Sequence, residues 1–293
     1  MSFEQALIAS GLRPRVIQAD GLWRRCATDD KPKRRNGAYV LYPDGRGYWR
    51  NWATDFELNK WTSHGIEAAT KIDHEAVRRQ READRETRIL AMEGARNRWA
   101  ESQPMRGLHP YLENKGLTAA GCSGLRVWRD LLVVPVYFGR SITSIQTINA
   151  DGEKRFWPGA PVKAGAYVMT RPQAALTAVC EGLATGLAVY QSVRHASVIV
   201  AFDAGNLTPV IDRLRPTGNV VICADNDHAT QARIGINPGI QKAENAAEMI
   251  GAGVAYPQGI SGTDWADALA EWGAESARRI ERLILSGARY VMT

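Results

Sequence analysis

Short apolar runs that end on acidic residues constrain the fold of this chain more than any other feature. The run 174–180 is followed by Glu181, and the run 219–224 is followed by Asp225 and Asp227, with a further apolar run between them. Runs of this length alternating with helical segments predict βαβ units around a buried parallel sheet. Ligands of such sheets bind outside the carboxyl ends of the strands, which is where these acids fall.

The spacing of the acids predicts a cation site. Asp225 and Asp227 are two residues apart, so both carboxylates point to the same side if the strand continues through them. Glu181 closes another strand and is expected to approach from beside them. Carboxylates gathered in this way repel one another unless a cation neutralises them, and their oxygens suit Mg²⁺ or Mn²⁺. The alternative is that each acid is a solvated turn or capping residue, the usual situation for acids.

The same residues carry a family resemblance. Glu181-Gly182 after one strand, and the Asp-Asn-Asp of 225–227 after a later one, resemble the Toprim domain of DnaG-type primases, topoisomerases and related nucleases. The segment 259–269 is similar to the end of Toprim domains in plasmid and phage primases, and the whole resemblance covers 176–269. It implies that the three acids hold the catalytic divalent cations.

Other polar residues near the strand ends have two interpretations. Asp264 and Asp267 are three apart and share a helix face if that segment is helical. They are then either outer metal ligands or capping and solvated residues. The segment 201–206 follows another strand; its Asp203 leaves the same choice open, and Asn206 is a candidate nucleotide ligand.

Farther along the chain, residues 228–233 are predicted as a polar loop. Asn237 is then the predicted N-cap of a helix that runs to about Ile250, with Pro238 in its first turn.

A second match lies upstream, over residues 106–170. The sequence HPYLENKGL of 109–117 is similar to the helix that begins the catalytic region of DnaG-type primases, and two paired strands are predicted over 131–136 and 141–148. In that family this smaller lobe faces the Toprim acids and supplies cations to nucleotide and template. The resemblance assigns this role to three basic residues: Lys154, Arg155 and Lys163. The alternative for Lys154 is an ordinary exposed lysine in a hairpin.

The amino-terminal region predicts a small module. Ser2–Ser10 is a predicted helix in which Ser2 and Gln5 form a capping box. Short aromatic runs separated by turns then predict an antiparallel β module from Asp20 to Trp61, with Asp44-Gly45 in a hairpin turn. The module resembles the amino-terminal region of some mobile-element primases and stands where others carry a zinc ribbon.

Charge and aromatic content raise the question of nucleic-acid binding by this module. Residues 1–50 contain ten Arg or Lys against five Asp or Glu, and four of the nine tryptophans lie within 23–61. Basic residues interleaved with aromatic rings are typical of single-strand binding, although a module this small also needs aromatic core residues. The candidate DNA contacts are in one loop: Lys33, Arg34 and Arg35.

Composition excludes several classes of protein. The four cysteines form no C-x-x-C pair, so neither a disulfide framework nor a structural zinc site is expected. The sequence contains no run of 18 apolar residues and no signal-peptide core, which predicts a cytoplasmic protein without a membrane partner. The net charge of +6 is moderately basic, and it is compatible with a polyanionic partner.

Together these features predict an α/β chain: a Toprim-like parallel sheet with flanking helices, a smaller α+β primase lobe and an N-terminal small β module. The predicted domains are the β module 1–65, a charged helical linker 66–105, the lobe 106–170, the Toprim domain 171–260 and a helical segment 261–293.

The predicted function is that of a plasmid, phage or other mobile-element DNA primase, which makes short RNA primers by metal-dependent nucleotidyl transfer. Its partners would be a single-stranded DNA template, nucleoside triphosphates and a replicative helicase. Two other functions stay open: a Toprim nuclease using the same acids, and a non-catalytic accessory protein that binds single-stranded DNA.

Overall fold

The structure, a computed structural model, describes residues 1–55, 58–63 and 74–292. The chain divides into two compact units, residues 1–86 and residues 87–293. Each unit is described by itself below.

The first unit is a helix followed by an antiparallel sheet. Helix α1 (Phe3–Ala9) is capped as predicted: the Gln5 amide donates to Ser2 Oγ at 3.2 Å, and the Ser2 amide donates to Gln5 Oε1 at 2.8 Å. Five strands follow in sequence order: β1 (Leu12–Arg13), β2 (Arg24–Thr28), β3 (Gly37–Leu41), β4 (Arg46–Asn51) and β5 (Asn59–Thr62). Gly45, with φ at 77°, makes the turn between β3 and β4, as Asp44-Gly45 predicted.

The tryptophans of this unit divide between core and surface. Trp49 is buried, and the ring of Phe3 packs against Trp49 and Trp61 at centroid distances of 6.0 and 5.5 Å. Trp23 and Trp52 are instead 52% and 43% exposed. The aromatic content therefore serves the core in part and leaves two rings at the surface.

Helix α2 (His74–Glu101) follows residues outside the described ranges and lies within the charged helical linker predicted over 66–105. In the second unit, an antiparallel sheet has the order β10-β9-β8-β7-β6. Its strands are β6 (Gln103–Pro104), β7 (Arg126–Trp128), β8 (Leu131–Phe138), β9 (Ser141–Ile148) and β10 (Lys154–Phe156), with helix α3 (Pro110–Asn114) after β6. The predicted pairing of 131–136 with 141–148 is confirmed by β8 and β9.

The second sheet of this unit has a parallel centre. Its order is β11-β13-β12-β14-β15, and β16 also pairs with β14. The strands are β11 (Tyr167–Met169), β12 (Leu176–Cys180), β13 (Ala196–Val200), β14 (Gly218–Cys223), β15 (Gly253–Ala255) and β16 (Arg289–Val291). Strands β12 to β15 pair in parallel, while β11 and β16 pair antiparallel at the edges.

Helices cover both faces of this sheet. The helices between and after its strands are α4 (Leu183–Ser192), α5 (Leu207–Leu214), α6 (His228–Ile234), α7 (Pro238–Glu248), α8 (Trp265–Glu271) and α9 (Ser276–Gly287). All of these except α6 bury side chains against the sheet. Val179, Val200 and Ile222 on the central strands are fully buried, because helices on both faces leave no side of a central strand to solvent. One apolar cluster joins α4, α8 and α9 to the sheet, and a second joins α5 and α7 to its other face. The predicted α/β fold is confirmed.

Two local predictions were wrong. Residues 228–233, predicted as a polar loop, form helix α6, which ends at Gly235 in the left-handed conformation. The segment was misread because it lacks the apolar periodicity of a buried helix. The tail, predicted as helical throughout, ends helix α9 at Gly287 and then forms β16, which is anchored by the buried Val291.

Within the described ranges, no helix combines the length and the apolar character that crossing a membrane requires. All four cysteines are buried free thiols.

Candidate active site

Two neighbouring strands bring the predicted acids to one edge of the parallel sheet. Strands β12 and β14 pair in parallel, with Cys180 opposite Cys223. Glu181 directly follows the first strand, and Asp225 follows the second after one residue. The strand does not continue to Asp227, so the position of each aspartate depends on its own hydrogen bonds rather than on strand alternation.

The electrostatics show that these acids act on one another. Burial, followed by the charge of Asp227, raises the pKa of Glu181, and the nearby Asp203 adds to this effect. Burial and the charge of Glu181 raise the pKa of Asp225 well above its ordinary value. Negative charge is therefore unfavourable at this edge unless a cation accompanies it.

One donor holds each aspartate. Thr185 in the first turn of α4 donates from Oγ1 to Asp225 Oδ1 at 2.8 Å. The amide of Gly239, in the first turn of α7, donates to Asp227 Oδ2 at 3.1 Å. Both donors lie at helix N-termini, where the helix dipole favours negative charge.

A hydrogen-bond network fixes the loop that carries the aspartates. Asn237 caps α7 as predicted and accepts from the Ile240 amide, and its Oδ1 also accepts from the Asp227 amide at 3.2 Å. Asn237 Nδ2 donates to Asn226 Oδ1 at 2.9 Å. The buried indole of Trp265 donates to the carbonyl that precedes Asp225, at 3.1 Å. These bonds fix the conformation of the loop.

Lys154 on strand β10 faces the acids. A methyl group added to Gly182 would lie 3.7 Å from Lys154 Nζ, and the positive charge of Lys154 favours the ionised form of Asp225. Arg155, the next residue, is exposed and lies 3.5 Å from Glu153 instead. Lys163 is also exposed, and the structure brings only Lys154 of the three predicted cations to the acids.

The side chain of Asn206 bonds to backbone groups of the fold. Its side chain accepts from the Ala164 amide at 2.7 Å and donates to the carbonyls of Ala201 and Gly165 at 2.8 and 3.0 Å. The residue is 4% exposed. Because backbone groups already use its amide, these contacts favour a structural role for Asn206 over that of a nucleotide ligand.

Asp264 and Asp267 form the capping box of α8. Both also pair with Lys115, whose Nζ lies 2.9 Å from Asp264 Oδ2 and 2.8 Å from Asp267 Oδ1. Burial alone would raise the pKa of Asp267, but the bonds from Lys115 and from the amides of Thr263 and Asp264 lower it overall. These contacts favour the capping interpretation over that of outer metal ligands.

A cavity of about 360 Å³ opens beside Lys154 and Asp264. Tyr111, predicted only as part of a helix, contributes a side chain that is 3% exposed and a hydroxyl with no hydrogen-bond partner among the described residues. Burial raises the pKa of this hydroxyl to about 12, so the hydroxyl stays protonated at neutral pH. A hydrogen bond from it to an acceptor would be stabilising. Lys115 lines the same cavity.

Within the described residues, no three His, Cys, Asp or Glu side chains are close enough to form a ready-made metal cage. Glu181, Asp225 and Asp227 lie at the strand ends and repel one another, and their carboxylate oxygens can serve as ligands of a cation. Magnesium usually binds one or two carboxylates and completes its coordination with water and substrate phosphates. The donor set fits that kind of site.

Comparison with known proteins defines the class. Residues 176–275 match the Toprim domain family, and this range contains the parallel strands β12 to β15 with Glu181, Asp225 and Asp227. Among individual proteins, the chain is 32% identical over 264 residues to a DNA primase TraC of Escherichia coli, and 31% identical over 245 residues to another Escherichia coli protein of that name. The matches cover 81% and 76% of this chain but only 24% and 16% of the relatives. They confirm the resemblance to Toprim-containing primases.

Two solved structures show a broader likeness. The primase fragment of the bacteriophage T7 primase-helicase protein is 12% identical, with 88% of this chain and 99% of that chain covered at a TM-score of 0.44. The DnaG primase catalytic domain bound to ssDNA is 15% identical, with 70% and 84% covered at a TM-score of 0.44. We draw nothing further from likenesses at this level.

Proposed function

We propose that this chain is a DNA primase, which synthesises short RNA primers on single-stranded DNA by metal-dependent nucleotidyl transfer. The observation that carries the proposal is the meeting of Glu181 with Asp225 and Asp227 at one sheet edge, opposite Lys154. The relatives named DNA primase support the same choice of reaction.

Glu181, Asp225 and Asp227 are the residues that would hold Mg²⁺ or Mn²⁺. The bound ions would align the phosphates of an incoming nucleotide and stabilise the attacking and leaving oxygens. Because the acids form no closed cage by themselves, we expect tight metal binding only with the nucleotide, whose phosphates supply further oxygen ligands.

Other residues position the acids or neutralise the negative charge of the phosphates. Lys154 offsets the negative charge on the phosphates as it increases in the transition state. Thr185 and Gly239 hold the two aspartates by the hydrogen bonds described above. No side-chain nucleophile is needed, since the attacking group is a hydroxyl of the growing primer. A replicative helicase partner and a cytoplasmic location stay predictions.

The test supplies ribonucleotides, Mg²⁺ or Mn²⁺ and a single-stranded template to the purified chain. Wild type is expected to make short RNA products, and Asp225→Ala with Asp227→Ala is expected to make none. The matched control is Glu244→Ala with Glu248→Ala, which removes two exposed carboxylates from α7 and should retain synthesis.

Absence of primers from wild type, or equal synthesis by the aspartate variant, would remove the proposal. Metal-dependent DNA cleavage without nucleotides would assign the same acids to a nuclease. DNA binding with neither product nor metal dependence would indicate the non-catalytic accessory protein.

A further inference from the structure

A basic cavity lies in the first unit, far along the chain from the Toprim acids. Its volume is about 430 Å³, and it lies between strands β1 and β2 and the loop that follows β2. The basic residues that line it are Arg13, Arg15, Arg24, Arg25, Lys33, Arg34 and Arg35. None of the described residues that line it is acidic.

Acidic partners neutralise only two of these cations. Arg13 pairs with Asp29 at 2.7 Å and Arg24 pairs with Asp20 at 2.6 Å, and both acids lie outside the cavity lining. In the described part of the chain, the other five cations form no ion pair. These five are Arg15, Arg25, Lys33, Arg34 and Arg35.

The five unpaired cations come from three separate segments, and the fold brings them together. Like charges at this spacing repel one another, and the repulsion is relieved only by solvent ions or by an anionic ligand. A surface that concentrates charge in this way attracts a polyanion by releasing the counterions of both partners.

Arg25 is held in position before any ligand binds. Its guanidinium carbon lies 4.1 Å from the ring centre of Trp52. Its Nε and one terminal nitrogen donate to the Arg35 carbonyl at 3.1 and 2.6 Å. These bonds fix the basic loop against strand β2, so the cavity keeps its shape and less ordering is required on binding.

An aromatic ring beside the cavity favours unpaired bases. Trp52 stacks on Arg25, which lines the cavity, and the Trp52 side chain is 43% exposed. Cations that track phosphates beside exposed aromatic rings are the combination that binds single strands. A duplex keeps its bases stacked inside, so only the attraction between its phosphates and the cations contributes to its binding.

We propose that the basic cavity binds the backbone phosphates of single-stranded DNA, with Trp52 stacking on a base, and that this binding needs no divalent cation. The inference deepens the proposed function, because a primase must hold its template. It rests, however, on residues of the other unit, so the two can fail separately.

The test measures binding of a fluorescent single-stranded oligonucleotide to the full chain by anisotropy, in EDTA and over a range of salt. Arg34→Ala with Arg35→Ala should weaken binding by roughly tenfold or more, as loss of charged hydrogen bonds predicts. The slope of log K against log salt should become shallower by about 1.4, or roughly 0.7 for each lost phosphate contact. Both residues are exposed, so the fold should persist, which thermal unfolding checks.

The matched control is Lys31→Ala with Lys60→Ala, which removes the same charge from exposed positions outside the cavity lining. It should bind nearly as wild type. Trp52→Leu should lower the affinity for the single strand with the salt slope unchanged, and duplex DNA of equal length should bind more weakly.

Equal affinity of the Arg34/Arg35 variant and its control would overturn the inference, as would a requirement for Mg²⁺. Asp225→Ala with Asp227→Ala should bind DNA as wild type does. If wild type makes no primers but binds through the cavity, the proposed function fails and this inference stands. If primers form and the cavity variants bind DNA as tightly as wild type, the proposed function stands and this inference fails.

Discussion

Glu181 and Asp225 lie where a negative charge is unfavourable. Individual neighbouring side chains stabilise the ionised form of Asp225. Burial and mutual repulsion raise the pKa of both groups, while Thr185 and the charge of Lys154 favour ionised Asp225. Removing one such donor should change the affinity for a cation more than it changes the fold.

Thr185→Val should therefore weaken metal-dependent activity. Valine keeps the shape of this buried residue but removes the hydroxyl that donates to Asp225. A hydrogen bond to a charged group contributes about 1.5–3 kcal/mol, so the Mn²⁺ concentration for half-maximal primer synthesis should rise roughly tenfold. Thr185→Ser, which keeps the donor, should stay near wild type. An unchanged Mn²⁺ requirement in the valine variant would show that the bond does not position Asp225.

Cys122 offers a pH test of burial. Burial raises the pKa of this thiol to about 11 from 9.0. Roughly a thousandth of the folded Cys122 is therefore thiolate at pH 8, against roughly a tenth in the unfolded chain. The thiolate absorbance of Cys122, taken as the difference between native wild type and native Cys122→Ala, should rise about tenfold per pH unit up to pH 10. A plateau near pH 9 in the folded protein would contradict this.

The position of the acids at one edge of the sheet was predictable from sequence, but the residues that bond to them were not. An acid at the end of an apolar run is visible locally, as Glu181 and Asp225 show. Thr185 lies 40 residues from Asp225 and Lys115 lies 149 from Asp264, and no local pattern links such pairs. Asn237 was predicted as a helix cap; its second bond, to the Asp227 amide, depends on how the chain folds back.

At the level of elements, helix α7 approaches the aspartate loop so closely that a side chain is excluded. A Cβ on Gly239 would collide with the backbone carbonyl of Asp225 and lie 3.2 Å from Asp227 Oδ2. The glycine allows the amide at the helix N-terminus to reach the carboxylate. Helix α6, just before it, was missed because its polar sequence gives no buried stripe to detect.

Gly239→Ala should displace the aspartate loop and lower both stability and activity. Forcing a methyl group into a packed contact costs about 1–3 kcal/mol, which thermal or urea unfolding will measure, and primer synthesis should fall by more than that loss of folded protein explains. Gly182→Ala is the comparison for stability, since its methyl group would meet Lys154 Nζ at an ordinary 3.7 Å. Equal stability of Gly239→Ala and wild type would show that the helix can move away freely.

At the scale of the whole molecule, an ion-pair cluster links the antiparallel lobe to the Toprim domain within the second unit. Lys115 follows α3 and reaches Asp264 and Asp267 at the start of α8. The order of the two sheets along the chain and the long central strands were predictable, because each depends on local apolar runs. The antiparallel edge strands β11 and β16 were not, since short strands gain their pairing from the rest of the sheet.

Lys115→Met should destabilise the second unit by about 1–3 kcal/mol at pH 7, because two neighbouring carboxylates lose their shared cation. The pKa of Asp267 is lowered in the fold, so the stabilisation it adds is present above its unfolded value of 3.8 and is lost as pH falls below it. Urea unfolding from pH 7 to pH 3 should therefore show a smaller loss in Lys115→Met than in wild type. Parallel losses in the two proteins would contradict the assigned role.

The central claim is that acids from separate strands bind divalent cations together. It is tested most directly by electron paramagnetic resonance of Mn²⁺ bound in the presence of a nucleoside triphosphate, using wild type, Glu181→Gln, Asp225→Asn, Asp227→Asn and the control Glu248→Gln. The account predicts that each of the three site variants loses affinity for Mn²⁺ by roughly tenfold or more while the control keeps it. Full Mn²⁺ binding in all three site variants would contradict the account.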